Sequence, residues 1–443
     1  MGSSLISAGG SKEFQDGNHL INSFRRQLGN FLLNLPLIDW VLFGFLFTFI
    51  ALFVVPVYLN PASTMKFYQY IPVLSPIGHD FRDIVSSSYT WFHFGTVPTT
   101  LYPPFTLIFF APFTWLSYEV GYKILAGLIL ACYLFTTWIL PRRMNNHTNT
   151  SAFALLIAVT GILSYGFQFE LERGQWNLIA FSFCLASIYL FHKQPKYRWL
   201  AYLLFTLSVQ LKLFPAIFVL TLIDDLSDWK SNLRRIFALG GINILALFIL
   251  GPDPIFKTVM SLNRFSPGAS SHFNHSLVSF TLFLFSKGVL PQKRLVLWLT
   301  ANEWLPELLL FALFGSCFLI ILSREFKRKA TGFSPYIFLA CFIGACIIPS
   351  ISFDYKLSML PACIAISIPE ILLSEDGRQR PLVVILAFVF SAAYSFMLFS
   401  YINKPRILEN DFPELLLILI ISTILSVMRS SGIAPLPAVD SKT

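Results

Sequence analysis

The sequence predicts an all-α polytopic membrane protein, and three observations carry that expectation. Of the 443 residues, 55% are hydrophobic and only 12% charged. Several uncharged runs approach the roughly twenty residues that a helix needs to cross a bilayer. The Lys and Arg residues that give the chain a net charge of +9 are gathered into short clusters between those runs, where cytoplasmic loop ends require them. The basic balance therefore reads as membrane topology, and no nucleic-acid partner is expected.

Residues 1–36 are polar and mixed in charge, without the basic, apolar, small-residue order of a cleaved signal peptide, and are expected to be a cytoplasmic segment. A single transmembrane domain, residues 37–430, follows. Its first span is residues 39–59, and residues 60–100 form a first extracytoplasmic loop. Residues 101–116, opened by Pro103 and Pro104 and interrupted by Pro112, are expected to be re-entrant or interfacial. Spans follow at 118–140, 151–167 and 174–191. Residues 199–222, interrupted by Lys212 and Pro215, read as two short helices that cross and return. Residues 235–251, 304–322, 333–349, 357–373, 381–401 and 412–428 complete the domain, and residues 431–443 are a cytoplasmic tail. All six cysteines (Cys132, Cys184, Cys317, Cys341, Cys346 and Cys363) fall inside apolar runs and are expected to pack, not to pair.

Orientation follows from the basic clusters. "FRRQ" at Arg25 and Arg26, "PRRM" at Arg142 and Arg143, "HKQPKYR" from His192, "KSNLRR" from Lys230, "SREFKRK" from Ser323 and "GRQR" from Gly377 belong on the cytoplasmic side. Placing all of them there gives about twelve crossings with both termini inside. The segments 60–100, 170–177, the turn around Lys212, 252–303 and 350–356 then emerge together on the opposite face. Lys/Arg counting alone brings most of the unusual polar residues to one side.

Each of those residues has a plain structural reading beside a functional one. Asp80 and Asp83 flank Arg82 in "HDFRD", where a solvated loop ion pair is the default. Glu172 and Arg173 read as capping a helix that starts at Gly174. A carboxylate suits a helix N-terminus and a cation does not, so Arg173 is expected to meet a ligand. Lys212 lies in an apolar run, where a lysine at membrane depth costs about 2.5 to 3.5 kcal/mol unless it snorkels or finds a partner. Asp354 and Lys356 are close enough in sequence to pair with each other. His272 and His275 are a weak metal signal without carboxylates near them in sequence. No Gly-rich phosphate loop, GxSxG elbow or HExxH motif is present. Without a soluble nucleotide-binding domain, ATP-driven transport is disfavoured.

An external site with an acidic residue, cations at membrane depth and surrounding aromatics suits a lipid-borne phosphate. The polyprenyl tail of such a donor would lie among the helices, while Arg173, Lys212 and Lys356 neutralise its phosphate. Asp80 would take the proton of the attacking hydroxyl. One displacement with one base inverts the anomeric carbon; a second carboxylate, Asp83 or Glu172, would keep a retaining route open. No metal ion or other cofactor is required. The rival reading, a lipid-linked glycan flippase or secondary transporter, predicts internal repeats, and "RGQWN" and "LKLFP" have no counterparts in the second half of the chain.

The order "HDFRD", "LYPPFTLIFFAPFTWL", "ERGQWNLIAFSFCLASIYLF", "LSVQLKLFPAIFVL", "FNHSL" and "PSISFDYKLSMLP" resembles glycosyltransferase family 87, over roughly residues 78–361. The resemblance implies a GT-C fold and transfer from a polyprenyl-phosphate sugar, mannose-like first among hexoses and pentoses, to a lipid-linked or cell-envelope glycan acceptor. It implies multi-pass placement in the plasma (inner) membrane with the site outside. Carried over by motif, Asp80 is the catalytic base, and Arg173, Gln175, Asn177 and Lys212 line the donor site with Asn274 and Ser276 beside it. His79, Arg82, Asp83, Tyr102, Glu172, Asp354 and Tyr355 are the supporting set. One departure stands out: "FDYK" puts Tyr355 and Lys356 where many members carry histidines.

Overall fold

The structure, a computed structural model, describes residues 77–144, 148–264, 274–285, 304–328, 332–373, 379–395 and 410–429, with single positions elsewhere. The expected first span at 39–59 lies almost wholly outside the described residues. So do both terminal segments, His272 and the first loop up to residue 76.

Sixteen helices are described: α1 (His79–Phe94), α2 (Phe105–Phe110), α3 (Tyr118–Leu134), α4 (Leu140–Met144), α5 (Thr148–Ile162), α6 (Tyr165–Arg173), α7 (Asn177–Lys193), α8 (Arg198–Leu211), α9 (Trp229–Leu247), α10 (Pro252–Arg264), α11 (Leu277–Leu284), α12 (Trp304–Lys327), α13 (Pro335–Ile347), α14 (Leu360–Leu373), α15 (Arg380–Ser395) and α16 (Phe412–Met428). Among the described residues there is no strand; Asn274 and Phe353 form an isolated antiparallel bridge.

Among the described residues, three helical stretches are long and apolar enough to cross a membrane: Tyr118–Met144, Trp304–Lys327 and Asp354–Leu372. Two bent pairs raise the number to five if each is one span: Ser151–Ile162 with Tyr165–Arg173, turned by 54°, and Trp229–Leu247 with Pro252–Ser261, turned by 95°. Phe105–Trp115 falls short of that length, and so do Asn177–Lys193, Pro335–Ile347, Arg380–Ala393 and Phe412–Met428, which lie in stretches expected to be spans.

The layers sort by where apolar side chains point. All thirteen residues of α13 are buried, as expected of a helix apolar all round and enclosed by others. On α12 the long side chains face outward instead, with Leu309 60% and Leu319 64% exposed, and α9 does the same with Phe237 and Leu245. In water such a surface would be a liability; against lipid it is the expected exterior.

The expected span 151–167 is broken. Ser164 adopts extended backbone and its hydroxyl accepts the Phe167 N–H at 3.4 Å, starting α6 afresh. The expected helix start at Gly174 is also corrected. Gly174, at φ 64°, ends α6 in the left-handed conformation that glycine adopts freely, and the next helix begins at Asn177. Arg173 therefore occupies the last turn of a helix, where a cation is favoured, and the sign mismatch inferred from sequence disappears. The break predicted at Lys212 is present. Its backbone is extended (φ −150°, ψ 137°) between α8 and a 3-10 helix, Phe214–Thr221, that has Pro215 in its first turn.

Candidate active site

Two glycines bring the start of α1 against the end of α6. The Gly78 N–H donates to the Glu172 carbonyl at 2.6 Å. A Cβ on Gly174 would lie 2.8 Å from Phe81 Cβ and 3.1 Å from Gly78 Cα, and one on Gly78 would strike the Tyr122 ring at 2.7 Å. Only chains without side chains at these two positions approach so closely.

That approach places Asp80 in the first turn of α1, not on a loop, facing Arg173. Arg173 Nη2 donates to Asp80 Oδ1 at 2.6 Å and its Nε to Oδ2 at 3.1 Å, a bidentate pair. Gln175 Nε2 donates both to Asp80 Oδ2 and to the Tyr102 hydroxyl, while its Oε1 accepts from Lys212 Nζ at 2.6 Å. With both ends committed to opposite hydrogen-bond roles, the amide has one orientation. Lys212 Nζ sits 4.2 Å from the ring centroids of both Tyr102 and Trp176, a cation sandwiched by two aromatic faces. Trp176 is buried and its Nε1 donates to the Leu211 carbonyl at 3.3 Å, which the Thr106 hydroxyl also reaches at 3.2 Å. These donors satisfy the carbonyl end of α8 where the chain breaks to present Lys212.

Glu170 explains part of the polar run before α7. It is fully buried, its Oε1 accepts the Leu178 N–H at 2.8 Å and its other oxygen accepts from Ser358. A carboxylate at the first turn of α7 suits the helix N-terminus and ties α7 to the turn before α14. Asn177 is buried beside it, and neither end of its amide hydrogen-bonds to a described residue. Glu172 is buried at the end of α6.

The other expected residues divide between surface and interior. Asp83 is 65% exposed and pairs with His79 at 3.2 Å, four residues away on α1. Arg82, instead of bridging Asp80 and Asp83, lines a cleft of about 500 Å³ with Phe81, Val85, Tyr89, Phe113 and Tyr118. Tyr355 is buried against Phe169, ring centroids 5.8 Å apart. Lys356 is buried close enough to Lys212 for the two charges to interact, and its Nζ donates to the Ala345 and Ile351 carbonyls, both at 3.3 Å. Gly166 lets α6 pack on this turn, since a Cβ there would lie 2.7 Å from Ser358 N.

Asn274, Ser276 and Asp354 join a second cluster. Asn274 Oδ1 accepts the N–H groups of Ser352 and Ser276, its Nδ2 donates to the Ser350 carbonyl at 2.9 Å, and its own carbonyl accepts from Asn410. Asp354 turns to His275 Nδ1, 3.2 Å away, and away from the pairing with Lys356 considered from sequence. Burial holds His275 below its ordinary pKa against the pull of Asp354. Sequence reasoning passed over Trp176, Ser352 and Asp411. The signal for Trp176 was its place inside "RGQWN"; the other two carry none.

Asp80, Arg173, Gln175 and Lys212 thus form one hydrogen-bonded chain drawn from α1, the α6–α7 connection and the end of α8. A carboxylate held by an arginine, with a second cation within reach, has the parts for proton abstraction beside an anionic leaving group. No curated protein and no solved structure matches the chain. Residues 100–349 match the sequence model of glycosyltransferase family 87. That match covers more than half of the sequence and includes Arg173, Gln175 and Lys212, and the chain therefore belongs to glycosyltransferase family 87 and is a membrane glycosyltransferase.

Proposed function

We propose that the enzyme transfers a sugar, mannose-like first among the candidates, from a polyprenyl-phosphate donor to a hydroxyl of a lipid-linked or cell-envelope glycan, with inversion. The site would face outward from a plasma-membrane domain of about twelve crossings, the number that positive-inside counting gives. The observation that carries the reading is the junction of Asp80 with Arg173 and, through Gln175, with Lys212.

A carboxylate has about four lone-pair positions. Asp80 uses two on Oδ2, for Arg173 Nε and Gln175, and one on Oδ1, for Arg173 Nη2. The remaining position on Oδ1 accepts the acceptor's hydroxyl proton as its oxygen attacks the anomeric carbon. The bond from that carbon to the phosphate oxygen breaks, and its electron pair leaves on the phosphate. Arg173 Nη1, without a hydrogen bond among the described residues, and the Lys212 ammonium are the groups in place to hold that charge. Asn177 stays with the donor set, its unsatisfied amide suited to a sugar hydroxyl. In this reading the transfer step draws on no metal ion.

The test is Asp80→Asn, assayed by release of free polyprenyl phosphate from a panel of polyprenyl-phosphate sugars. Transfer is expected to fall by about 10²- to 10⁴-fold, the usual contribution of a general base, with donor binding retained. Full activity in that variant would move the base to another residue.

A further inference from the structure

Helix α1 has a second working face, turned away from Asp80. Residues two apart on a helix do not share a side. While Asp80 meets Arg173, Arg82 opens a stripe that continues through Val85, Ser86 and Tyr89, at the i, i+3, i+4 and i+7 spacing of one helix face. That stripe is one wall of the cleft of about 500 Å³; Phe113, Leu116 and the first turn of α3 form the other. Phe81 is the floor, its ring edge-on to Phe113 with centroids 5.4 Å apart. Gly121 lets α3 close against it, since a Cβ there would lie 3.1 Å from the Phe81 ring. The size falls in the range of roughly 300 to 1,000 Å³ usual for ligand sites.

Three observations point to the occupant. The first is depth. The wall includes Tyr118, the residue at which the membrane-length stretch Tyr118–Met144 begins, so the cleft lies at the boundary between hydrocarbon and headgroups. The second is the rim. Tyr89 and Tyr118 are exposed, and beside them the exposed rings of Phe92 and Trp115 meet edge-on, centroids 5.9 Å apart. Aromatic side chains gather in this way at the level of lipid headgroups. The third is charge. Arg82 is exposed, and its guanidinium makes no hydrogen bond or ion pair with a described residue, while the neighbouring carboxylates are held elsewhere, Asp80 by Arg173 and Asp83 by His79. A guanidinium at the mouth of a mainly apolar cleft is complementary to a phosphate that carries hydrocarbon. Its planar fork takes two phosphate oxygens at once, and the cleft walls remove the chain from contact with water.

We propose that this cleft binds an anionic glycerophospholipid of the surrounding bilayer, with the phosphate on Arg82 and an acyl chain between Val85 and Phe113. The sugar donor is kept apart from it, because Arg173 and Lys212 lie with Asp80 on the other side of α1. The bound headgroup braces the first turns of the helix that carries Asp80. The site is independent of the assignment of Asp80 as base.

The experiment uses the full-length protein in phosphatidylcholine nanodiscs that contain a trace of phosphatidylglycerol with a photoreactive diazirine in its acyl chain. After illumination, peptide mapping is expected to find the label concentrated on residues 81–89 and 113–121, the two walls of the cleft. Excess unlabelled phosphatidylglycerol should remove it and excess phosphatidylcholine should not. Arg82→Gln should lower the labelling at least about tenfold, the loss of one charge-assisted contact. Arg82→Lys keeps the charge without the fork and should lower it several-fold, whereas attraction to a charged surface alone would leave it at the parent's level. Ser86→Trp fills the cleft, spares Arg82 and should also abolish labelling, while Asp80→Asn should label as the parent does. The proposal is overturned by label scattered over the lipid-facing helices, by equal competition from phosphatidylcholine, or by parental labelling in any of the Arg82 and Ser86 variants. Displacement by polyprenyl phosphate at lower concentration than by phosphatidylglycerol, or loss of label in Asp80→Asn, would give the cleft to the donor and overturn it too. Mapping and competition in the parent protein need no variant, so a mutant that fails to fold does not shield the inference.

Discussion

Asp80 and Asp354 are both acidic groups held against a nitrogen-bearing side chain, and the two surroundings differ in their access to solvent. The Asp80 chain of hydrogen bonds joins one carboxylate to two cations, Arg173 and Lys212. The second cluster sets two carboxylates, Asp354 and Asp411, beside the His275 imidazole. Asp80 and Arg173 also keep side chains 13% and 22% exposed, whereas His275 and Asp354 are at 0% and 3%. An excess of positive charge reached by solvent suits an anion that enters and leaves. A polar cluster sealed from solvent suits a structural tie between chain segments. Proximity of polar groups alone would not have told the two apart.

The largest change to the first cluster, short of removing its carboxylate, is Arg173→Lys. It keeps the charge and deletes the planar fork that holds both Asp80 oxygens. Hydrogen bonds to charged groups contribute about 1.5 to 3 kcal/mol, so kcat should fall by about a hundredfold. Steady-state assay with the donor panel reads it. A wild-type rate would show that the pair is structural and that Asp80 is oriented by Gln175 alone.

Lys212→Met keeps the stem between Tyr102 and Trp176 and removes the ammonium. If Lys212 holds donor phosphate before and during transfer alike, the loss appears mainly as KM, by about tenfold for 1.4 kcal/mol of binding. A change confined to kcat would instead assign it to the departing phosphate.

Gly174→Ala attacks the construction of the first site without touching its chemistry. A non-glycine residue in the left-handed region costs about 1 to 2 kcal/mol, and the new methyl meets Phe81 Cβ. A lower unfolding midpoint and a several-fold loss of transfer are expected, with the His275 cluster unaffected.

What sequence made legible follows from cost. Lys212 declares itself because a lysine in an apolar run demands an explanation, and "RGQWN" concentrates polar groups where lipid would be expected. Asp80, Arg173, Gln175 and Lys212 do meet, as the co-facing loops imply. The bend between α5 and α6 was hidden, because no proline marks it and the run up to Phe167 is largely apolar, so only the Ser164 cap marks the restart. It moved Arg173 from the start of one helix to the end of another and changed the reason for its charge. The second cluster was hidden by distance along the chain. His275 lacked carboxylates near it in sequence, while Asp354 lies 79 residues away and is brought beside it only by packing. Pairwise proximity across that separation is a property of the fold and leaves no local pattern.

Asp83→Asn makes the smallest change and the sharpest internal control. Asp83 lies three residues from Asp80 on the same helix and was, from sequence, a possible second carboxylate in the supporting set. Its side chain is 65% exposed and its partner is His79, itself 45% exposed. Solvent-exposed pairs contribute about 0 to 1 kcal/mol, so stability should hardly move, and transfer should stay within about twofold of the parent because the Arg173 fork and the Gln175 bond to Asp80 are left intact. A large loss of activity in a folded Asp83→Asn protein, together with retained activity in Asp80→Asn, would exchange the roles of the two carboxylates and place the reaction on the solvent-facing side of α1. Opposite responses from two aspartates one helical turn apart would show that the depth of the carboxylate and its arginine fork, not the acidic residue as such, define the site.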